Sequence, residues 1–272
     1  MKEPKITIVT VTFNSAKTIA KTIESINRQT YKNIEQVFID NQSGDDTVKI
    51  IKALAPQAHL VSEKDSGIYE AMNKGFKLAT GEIVGTLNSD DYFLHERVVE
   101  NIAAIFVRDG IDYVCGRIKF FEPATGKFSH YFGSEPALED NLVRMSIAHP
   151  TLYVKKEIME KIGPYDENFR IAADFDWCLR LLRGKYKYFF LEDPMIGVGL
   201  AGLSARNYLL AAREELAIKI KYYPQRQWRF RVIFYSDYLV RRFRDLLIMI
   251  KLGKIVQLAR RLQGKTTSQG SL

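Results

Sequence analysis

Only two cysteines, Cys115 and Cys178, occur in 272 residues, and they lie far apart within apolar runs. A disulfide framework is therefore not expected, and a reducing compartment such as the cytoplasm fits. Nor do cysteine and histidine recur at the spacing of a metal site. The chain has no run of about twenty apolar residues, so no membrane-spanning helix is expected. Its start, MKEPKITIVTVTF, passes from charge straight into a strand pattern without an apolar stretch of signal-peptide length. Glycine-rich phosphate loops are missing as well. A dinucleotide fold would need G-x-G-x-x-G after the first strand, where the chain reads Val11-Thr12-Phe13-Asn14-Ser15, and no G-x-x-x-x-G-K-[ST] string occurs anywhere. An enzyme that handles a diphosphate without these cradles must rely on metal-bound carboxylates.

What is present is ample for a core: 46% hydrophobic and 12% aromatic residues, enough for one large α/β domain with an appendage. The net charge of +8 is unevenly spread. Residues 205–272 hold fifteen Lys and Arg against four acids (Glu214, Glu215, Asp237, Asp245), which is +11 and leaves +8 − 11 = −3 for residues 1–204. The sequence thus divides into a mildly acidic body and a basic extension, and such asymmetry points to an anionic partner for the basic part.

Along the body, strand and helix patterns alternate. Residues 5–13 are rich in β-branched side chains, and Ser15 is placed to cap a helix running to about Arg28 with Ile19, Ile23 and Ile26 at helical spacing. Strands over 34–39, 59–61 and 82–87 alternate with helices over about 44–55 and 67–79. This order predicts a mostly parallel sheet covered on both faces, with ligands at the carboxyl ends of its strands. Thr12 and Asn14 follow the first strand, Asp40 ends the second, and Asp90 and Asp91 follow the fourth.

Adjacent aspartates where a strand runs out need a partner, because each charge raises the cost of burying the other. A hard divalent ion such as Mg²⁺ or Mn²⁺ commonly binds through one or two carboxylates together with substrate phosphates. The alternative is a polar turn capping a helix that starts near Leu94.

Five ordered blocks decide between these readings: Thr10 to Asn14, Phe38 to Thr47, Ser62 to Gly75, Ala79 to Glu82, and Asn88 to Asp91. Together they resemble family-2 glycosyltransferases over roughly residues 5–200. The resemblance implies a GT-A fold, a Rossmann-like sandwich joining a nucleotide-binding half (residues 1–91) to an acceptor half (92–204). It implies that Thr12, Phe13 and Asp40, beside Asn14, hold the nucleoside base and ribose, that Asp90 holds sugar or ribose hydroxyls, and that Asp91 holds the metal. In the loop before the helix at Gly67, Lys64 is a candidate for phosphate and Asp65 for the base, against an ordinary solvated charge pair. Asn73 on that helix is a candidate to face the donor, against a surface position.

In the second half, an acid opens a helical pattern at Asp174. Family-2 enzymes carry Glu-Asp there, with the aspartate as general base; here Ala173 replaces the glutamate and Asp174 remains. A carboxylate within reach of an acceptor hydroxyl assists its attack. Asp176 is the alternate base, and a pairing of Asp176 with Arg180 is the structural alternative. His149, ahead of a strand over 151–154, is a candidate acceptor contact or a satisfied structural histidine. Residues 197–204 resemble a family loop that closes near the active site.

The extension reads as helices over 207–222 and from 228 to about 262, broken at Pro224, with Trp228, Phe230, Phe234, Tyr238 and Phe243 interleaved with arginines. Anionic membrane, the catalytic body or a second subunit would each accept such a face; nucleic acid is not expected, since no binding module is recognisable. With the resemblance, which implies inversion, the expectation is an inverting, metal-dependent enzyme, cytoplasmic or peripheral on the inner membrane face, that uses Mn²⁺ or Mg²⁺. It would move a sugar from a UDP- or GDP-sugar to a hydroxyl of a lipid-linked glycan in cell-surface polysaccharide synthesis. The competing classes are a non-catalytic lipid- or nucleotide-binding protein on a decayed transferase fold, and a nucleotidyltransferase.

Overall fold

A computed structural model describes residues 3–122, 125–199 and 207–249. The chain forms two compact units, residues 1–215 and 216–272.

The first unit is organised around β1 (Ile6–Thr12), a strand buried at every position. Such a run of alternating Ile, Val and Thr suits a strand covered on both faces. It pairs in parallel with β2 (Ile34–Asp40) and β4 (Ile83–Thr86), and β2 pairs in parallel with β3 (His59–Ser62). Helices α1 (Ile19–Asn27), α2 (Thr47–Leu54) and α3 (Ile68–Leu78) connect them. The second half adds β5 (Tyr92–Phe93), α4 (Val98–Asp109), β6 (Tyr113–Phe121), β7 (Phe128–Phe132), α5 (Leu138–Val143), β8 (Tyr153–Lys155), α6 (Lys156–Ile162), α7 (Ala173–Arg183) and β9 (Tyr188–Gly199). One nine-stranded sheet results, in the order β3-β2-β1-β4-β8-β6-β9-β5, with β7 beside β6. Because β8 is antiparallel to both β4 and β6, while β9 is parallel to β6, six strands run one way and β5, β7 and β8 run the other. The mostly parallel α/β sheet expected from the alternation is present, and its antiparallel members all come from the second half.

Helix α8 (Tyr208–Tyr222) spans the boundary between the units. A 3₁₀ turn at Pro224–Arg226 leads into α9 (Gln227–Met249) in the second unit. The expected continuation of that helix to about residue 262 lies outside the described residues, as do residues 200–204 of the proposed closing loop.

Three local expectations are corrected. No helix starts near Leu94: Asp91 leads into β5, which pairs with β9, and α4 begins only at Val98. Ser15 does not cap α1 through its side chain; the helix starts after Thr18, and Ser15 instead accepts the backbone N–H groups of Thr18 and Ile19 through its carbonyl. Residues 149–151 form a 3₁₀ turn, so β8 starts at Tyr153. In the first case tertiary strand pairing overrides a local propensity, and in the other two local turn bonds shift an element boundary by a few residues.

Close approaches fix the layers. Glu35 on β2 is buried and accepts from Lys5 Nζ at 2.8 Å, Thr80 N at 2.8 Å and the Thr7 hydroxyl. These bonds hold its carboxyl down at about 2, against the opposing effect of burial. Next to it, Gly81 donates its N–H to Thr7 Oγ1 at 2.9 Å, and a Cβ there would stand 2.7 Å from both Lys5 O and Thr7 N. Neither backbone atom can move without disturbing β1, so Gly81→Ala is expected to destabilise the fold by about 1–3 kcal/mol. Urea denaturation checks this through a lower midpoint at unchanged slope.

Candidate active site

The register of β1, β2 and β3 sets Thr12, Asp40 and Ser62 side by side at the carboxyl ends of their strands. Asp40 is fully buried and accepts from Ser62 Oγ at 2.6 Å, Ser43 N at 3.0 Å and the Ser43 hydroxyl. Ser43 Oγ in turn accepts Asn14 N at 2.8 Å, while Asn14 Oδ1 accepts Gly44 N at 2.9 Å. Asn14 has φ 48°, a left-handed conformation that asparagine tolerates. Asp40 and Asn14 thus tie together the loops that leave β1 and β2. Between them, Phe13 projects 58% exposed, and the buried Thr12 Oγ1 has no protein partner.

The aspartate pair sits in the turn between β4 and β5. Asp91 is 2% exposed. Its backbone is fixed by Thr22 Oγ1 donating to its carbonyl at 2.7 Å and by its own N–H donating to Asn88 O at 3.0 Å, while Asn88 Nδ2 donates to its carboxylate at 3.0 Å. Burial, and secondarily the charge of Asp90, pushes the Asp91 carboxyl up to about 8. Asn88 Oδ1 is buried without a protein partner. Among the described residues no group of three or more His, Cys, Asp and Glu converges. The chain therefore offers two carboxylates and an orphaned amide oxygen. These are hard donors, too few to enclose an ion, and that set fits Mg²⁺ or Mn²⁺ shared with a phosphate-bearing ligand.

Asp65 lines the same cleft; its carboxylate accepts Gly67 N at 3.0 Å, its own N–H donates to Asn41 Oδ1 at 2.9 Å, and burial raises its pKa. Lys64 is exposed and lies outside the cleft lining. Asn73 does not face the cleft and is not a surface residue. It is buried, with Nδ2 donating to Tyr165 O at 3.0 Å and to Glu167 at 2.8 Å, and Oδ1 accepting Tyr165 N at 2.9 Å. Asn73 pins α3 to the loop before α7.

From the other half, α7 brings Asp174. Its Oδ1 accepts Phe175 N at 2.8 Å and the Tyr69 hydroxyl at 3.1 Å; that hydroxyl also lies 2.6 Å from Ile171 O. Burial raises the Asp174 carboxyl to about 6. Asp176 is 1% exposed and bonded to Arg180 Nε at 2.8 Å; Arg180 also donates to the carbonyls of Ile162 at 2.6 Å and Pro164 at 2.8 Å. The Asp176–Arg180 pair is built into the support of α7. His149 lines the cleft, with Nε2 2.7 Å from the Tyr165 hydroxyl, and burial lowers it to about 4, so it presents a neutral ring.

A cleft of about 720 Å³ joins these groups, with Thr12, Phe13, Asp65, Asp90 and Asp91 from one half facing His149 and Asp174 from the other. Two participants are not evident in the sequence. Tyr69 sits within a quoted motif, but nothing in the pattern shows that its hydroxyl reaches a residue 105 positions away. Glu214 on α8, counted above with the basic extension, accepts Arg170 N, Ile171 N and Ala172 N, each at 2.9 Å. It fixes the segment immediately before α7, and no local signal marks it.

Comparison with known proteins agrees with this geometry. A family model described as Glycosyl transferase family 2 matches residues 7–163. A PGL/p-HBAD biosynthesis glycosyltransferase of Mycobacterium bovis is 30% identical over 185 residues, covering 66% of this chain and 70% of that protein. Glycosyltransferase AglE of Haloferax volcanii is 24% identical over 199 residues, covering 70% and 65%. Among solved structures, S. aureus TarS 1-349 in complex with UDP-GlcNAc superposes with TM-score 0.66 at 18% identity, covering 85% of this chain and 73% of that one. For TarS 1-349 alone the shares are 79% and 65%, so this chain spans just under two thirds of it. The mannosyltransferase PcManGT from Pyrobaculum calidifontis, in complex with GDP-Man and Mn²⁺, gives TM-score 0.62 at 18% identity, covering 81% and 65%. These similarities identify the fold as GT-A type.

The raised pKa of Asp174 has a measurable consequence. A carboxyl held at about 6 when folded, against 3.8 as its ordinary value, favours the neutral form in the folded chain. Its stabilising contribution is complete below pH about 4 and is lost as pH rises through about 6. At neutral pH the ionised group opposes folding by at most about 3 kcal/mol, reduced by whatever cleft water reaches it. Asp174→Asn is therefore expected to raise the melting temperature at pH 7 to 8 and to leave it unchanged near pH 4, as thermal denaturation across pH would show.

Proposed function

The chain belongs to glycosyl transferase family 2, and we propose that its cleft transfers a sugar, with inversion, from a nucleotide-diphosphate sugar to an acceptor hydroxyl using Asp174 as general base. The observation that carries this reading is the placement of Asp174, the acid that the acceptor half contributes to the cleft, opposite Asp90 and Asp91. Asp174 lies beyond the stretch matched by the family model, so its role rests on the resemblance at the start of α7 and on its place in the cleft lining. UDP-GlcNAc in the TarS complex, and GDP-Man with Mn²⁺ in the PcManGT complex, support a UDP- or GDP-sugar as donor and a divalent ion as its companion.

In this reading Thr12, with its orphaned hydroxyl, together with Phe13 and Asp65, receives the nucleoside. Asp40 and Asn14 hold the loops that carry them. Asp90 and Asp91, with Asn88 Oδ1, would hold the ion, which when bound supplies positive charge to offset that developing on the departing diphosphate. Asp174, at about 6, is mostly ionised at neutral pH and accepts the acceptor hydroxyl's proton as that oxygen attacks the sugar. The Tyr69 hydroxyl orients its carboxylate. After transfer the proton rests on Asp174, which exchanges it with solvent through the open cleft. One base assisting one in-line displacement accounts for inversion. The acceptor in this proposal is a lipid-linked glycan of a cell-surface polysaccharide, met at the cytoplasmic face of a membrane.

A panel of nucleotide sugars tested for Mn²⁺-dependent thermal stabilisation identifies the donor, since a ligand of the folded state raises apparent stability by mass action. Asp91→Asn is expected to abolish both that stabilisation and transfer, with the fold retained. Asp174→Asn is expected to cut turnover by on the order of 10² to 10⁴ while leaving donor affinity in place. Wild-type turnover should fall as pH drops below about 6. Ordinary turnover in Asp174→Asn, or full activity of the wild type in excess chelator, refutes the assignments.

A further inference from the structure

Helix α9 carries an apolar stripe that its own unit leaves in solvent. Trp228, Val232, Tyr235, Leu239 and Phe243 recur at steps of four, three, four and four residues, which places them on one face of a helix. Each is between 52% and 76% exposed, whereas Phe230, on the opposite face, is 3% exposed. Five large apolar side chains aligned in water are far from the scattered exposure normal for a soluble surface. At 100° per residue, Arg231 and Arg242 border the stripe on one side and Arg229 on the other, all three exposed. Arg242 lies with its guanidinium 5.8 Å from the Tyr238 ring, at the same border.

We propose that this face of α9 lies in the surface of an anionic bilayer, with the five apolar side chains inserted below the headgroups and Arg229, Arg231 and Arg242 reaching to lipid phosphates. Charge decides between a bilayer and a second copy of the helix. Between residues 227 and 243 the helix has four arginines and one acid, Asp237, which lies on the face away from the stripe. Two copies packed through the stripe would bring arginine borders together without acids to pair them, unlike helix pairs whose flanking positions carry both signs. Anionic headgroups supply the missing charge at the depth where arginine snorkels and where Trp and Tyr rings are favoured. Among the described residues no helix is long and apolar enough to cross a membrane, so α9 would lie along the surface. The inference extends the membrane-facing acceptor proposed above but does not depend on the transfer chemistry.

The test is co-sedimentation of the full-length protein with vesicles of phosphatidylcholine alone and of phosphatidylcholine mixed with phosphatidylglycerol. Binding is expected only to the mixed vesicles and is expected to weaken with added salt. Arg231→Gln combined with Arg242→Gln should weaken binding about 25-fold, at roughly fivefold per arginine. Leu239→Glu combined with Phe243→Glu should abolish it. Neither pair touches the cleft, so Mn²⁺-dependent stabilisation by nucleotide, measured on the same preparations, shows that each variant is folded and scores the catalytic reading separately. Equal binding to both vesicle types, or wild-type binding by the Glu variants, overturns the proposal. A wild-type dimer in solution that the Glu variants dissolve, together with no vesicle binding, assigns the stripe to a second copy instead.

Discussion

The cleft depends on keeping two carboxylates, Asp91 and Asp174, where water is scarce. Burial raises both, to about 8 and about 6, and the chain surrounds each with groups that fix its position without neutralising it. Asp91 receives an amide from Asn88 and a backbone anchor from Thr22, but no lysine or arginine. Asp174 receives the Tyr69 hydroxyl and the Phe175 N–H. The contrast with Glu35 is instructive: that buried acid is paired with Lys5 and is driven down to about 2, as befits a structural charge. Acids left without a cationic partner in an accessible cleft are those whose charge awaits a partner from outside.

On the α7 side of the cleft, two side chains of α3 reach across to the second half. Tyr69 on α3 reaches Ile171 and Asp174, and Asn73, one turn further along, holds both N–H and C=O of Tyr165. Glu214 then gathers three successive backbone N–H groups of residues 170–172. The segment before α7 is thereby held by a helix from the first half and by a helix from the carboxyl-terminal part of the chain. A carboxylate among three N–H donors is a strong charge-assisted arrangement. Its negative charge also contributes, as a minor cause, to the raised pKa of Asp174.

The exposed apolar stripe of α9 and the cleft follow opposite rules. In the cleft, polar groups are withdrawn from water and held by specific bonds, so that a small ligand can complete them. On α9, apolar groups are left in water on a regular face, with positive charge at its borders, so that an extended surface can cover them. The division of charge between body and extension is the sequence-level trace of that difference.

Periodicity and motif order in the sequence determined the α/β alternation, the family, the strand ends on which Thr12, Asp40 and the Asp90–Asp91 pair sit, and Asp174 at the start of α7, because each is a property of a few neighbouring residues. The basic bias of residues 205–272 was equally local. Only the tertiary structure decided what those residues do to one another. It turned Asn73 inward, left Lys64 outside the cleft, and recruited Tyr69 and Glu214 across separations of 105 and about 43 residues. The sequence pattern placed a helix near Leu94, but pairing with β9 made that segment a strand. The physical reason is the same throughout. Propensity and spacing act over a turn or a strand, whereas burial, ion pairing and hydrogen-bond partners are set by what the fold brings alongside.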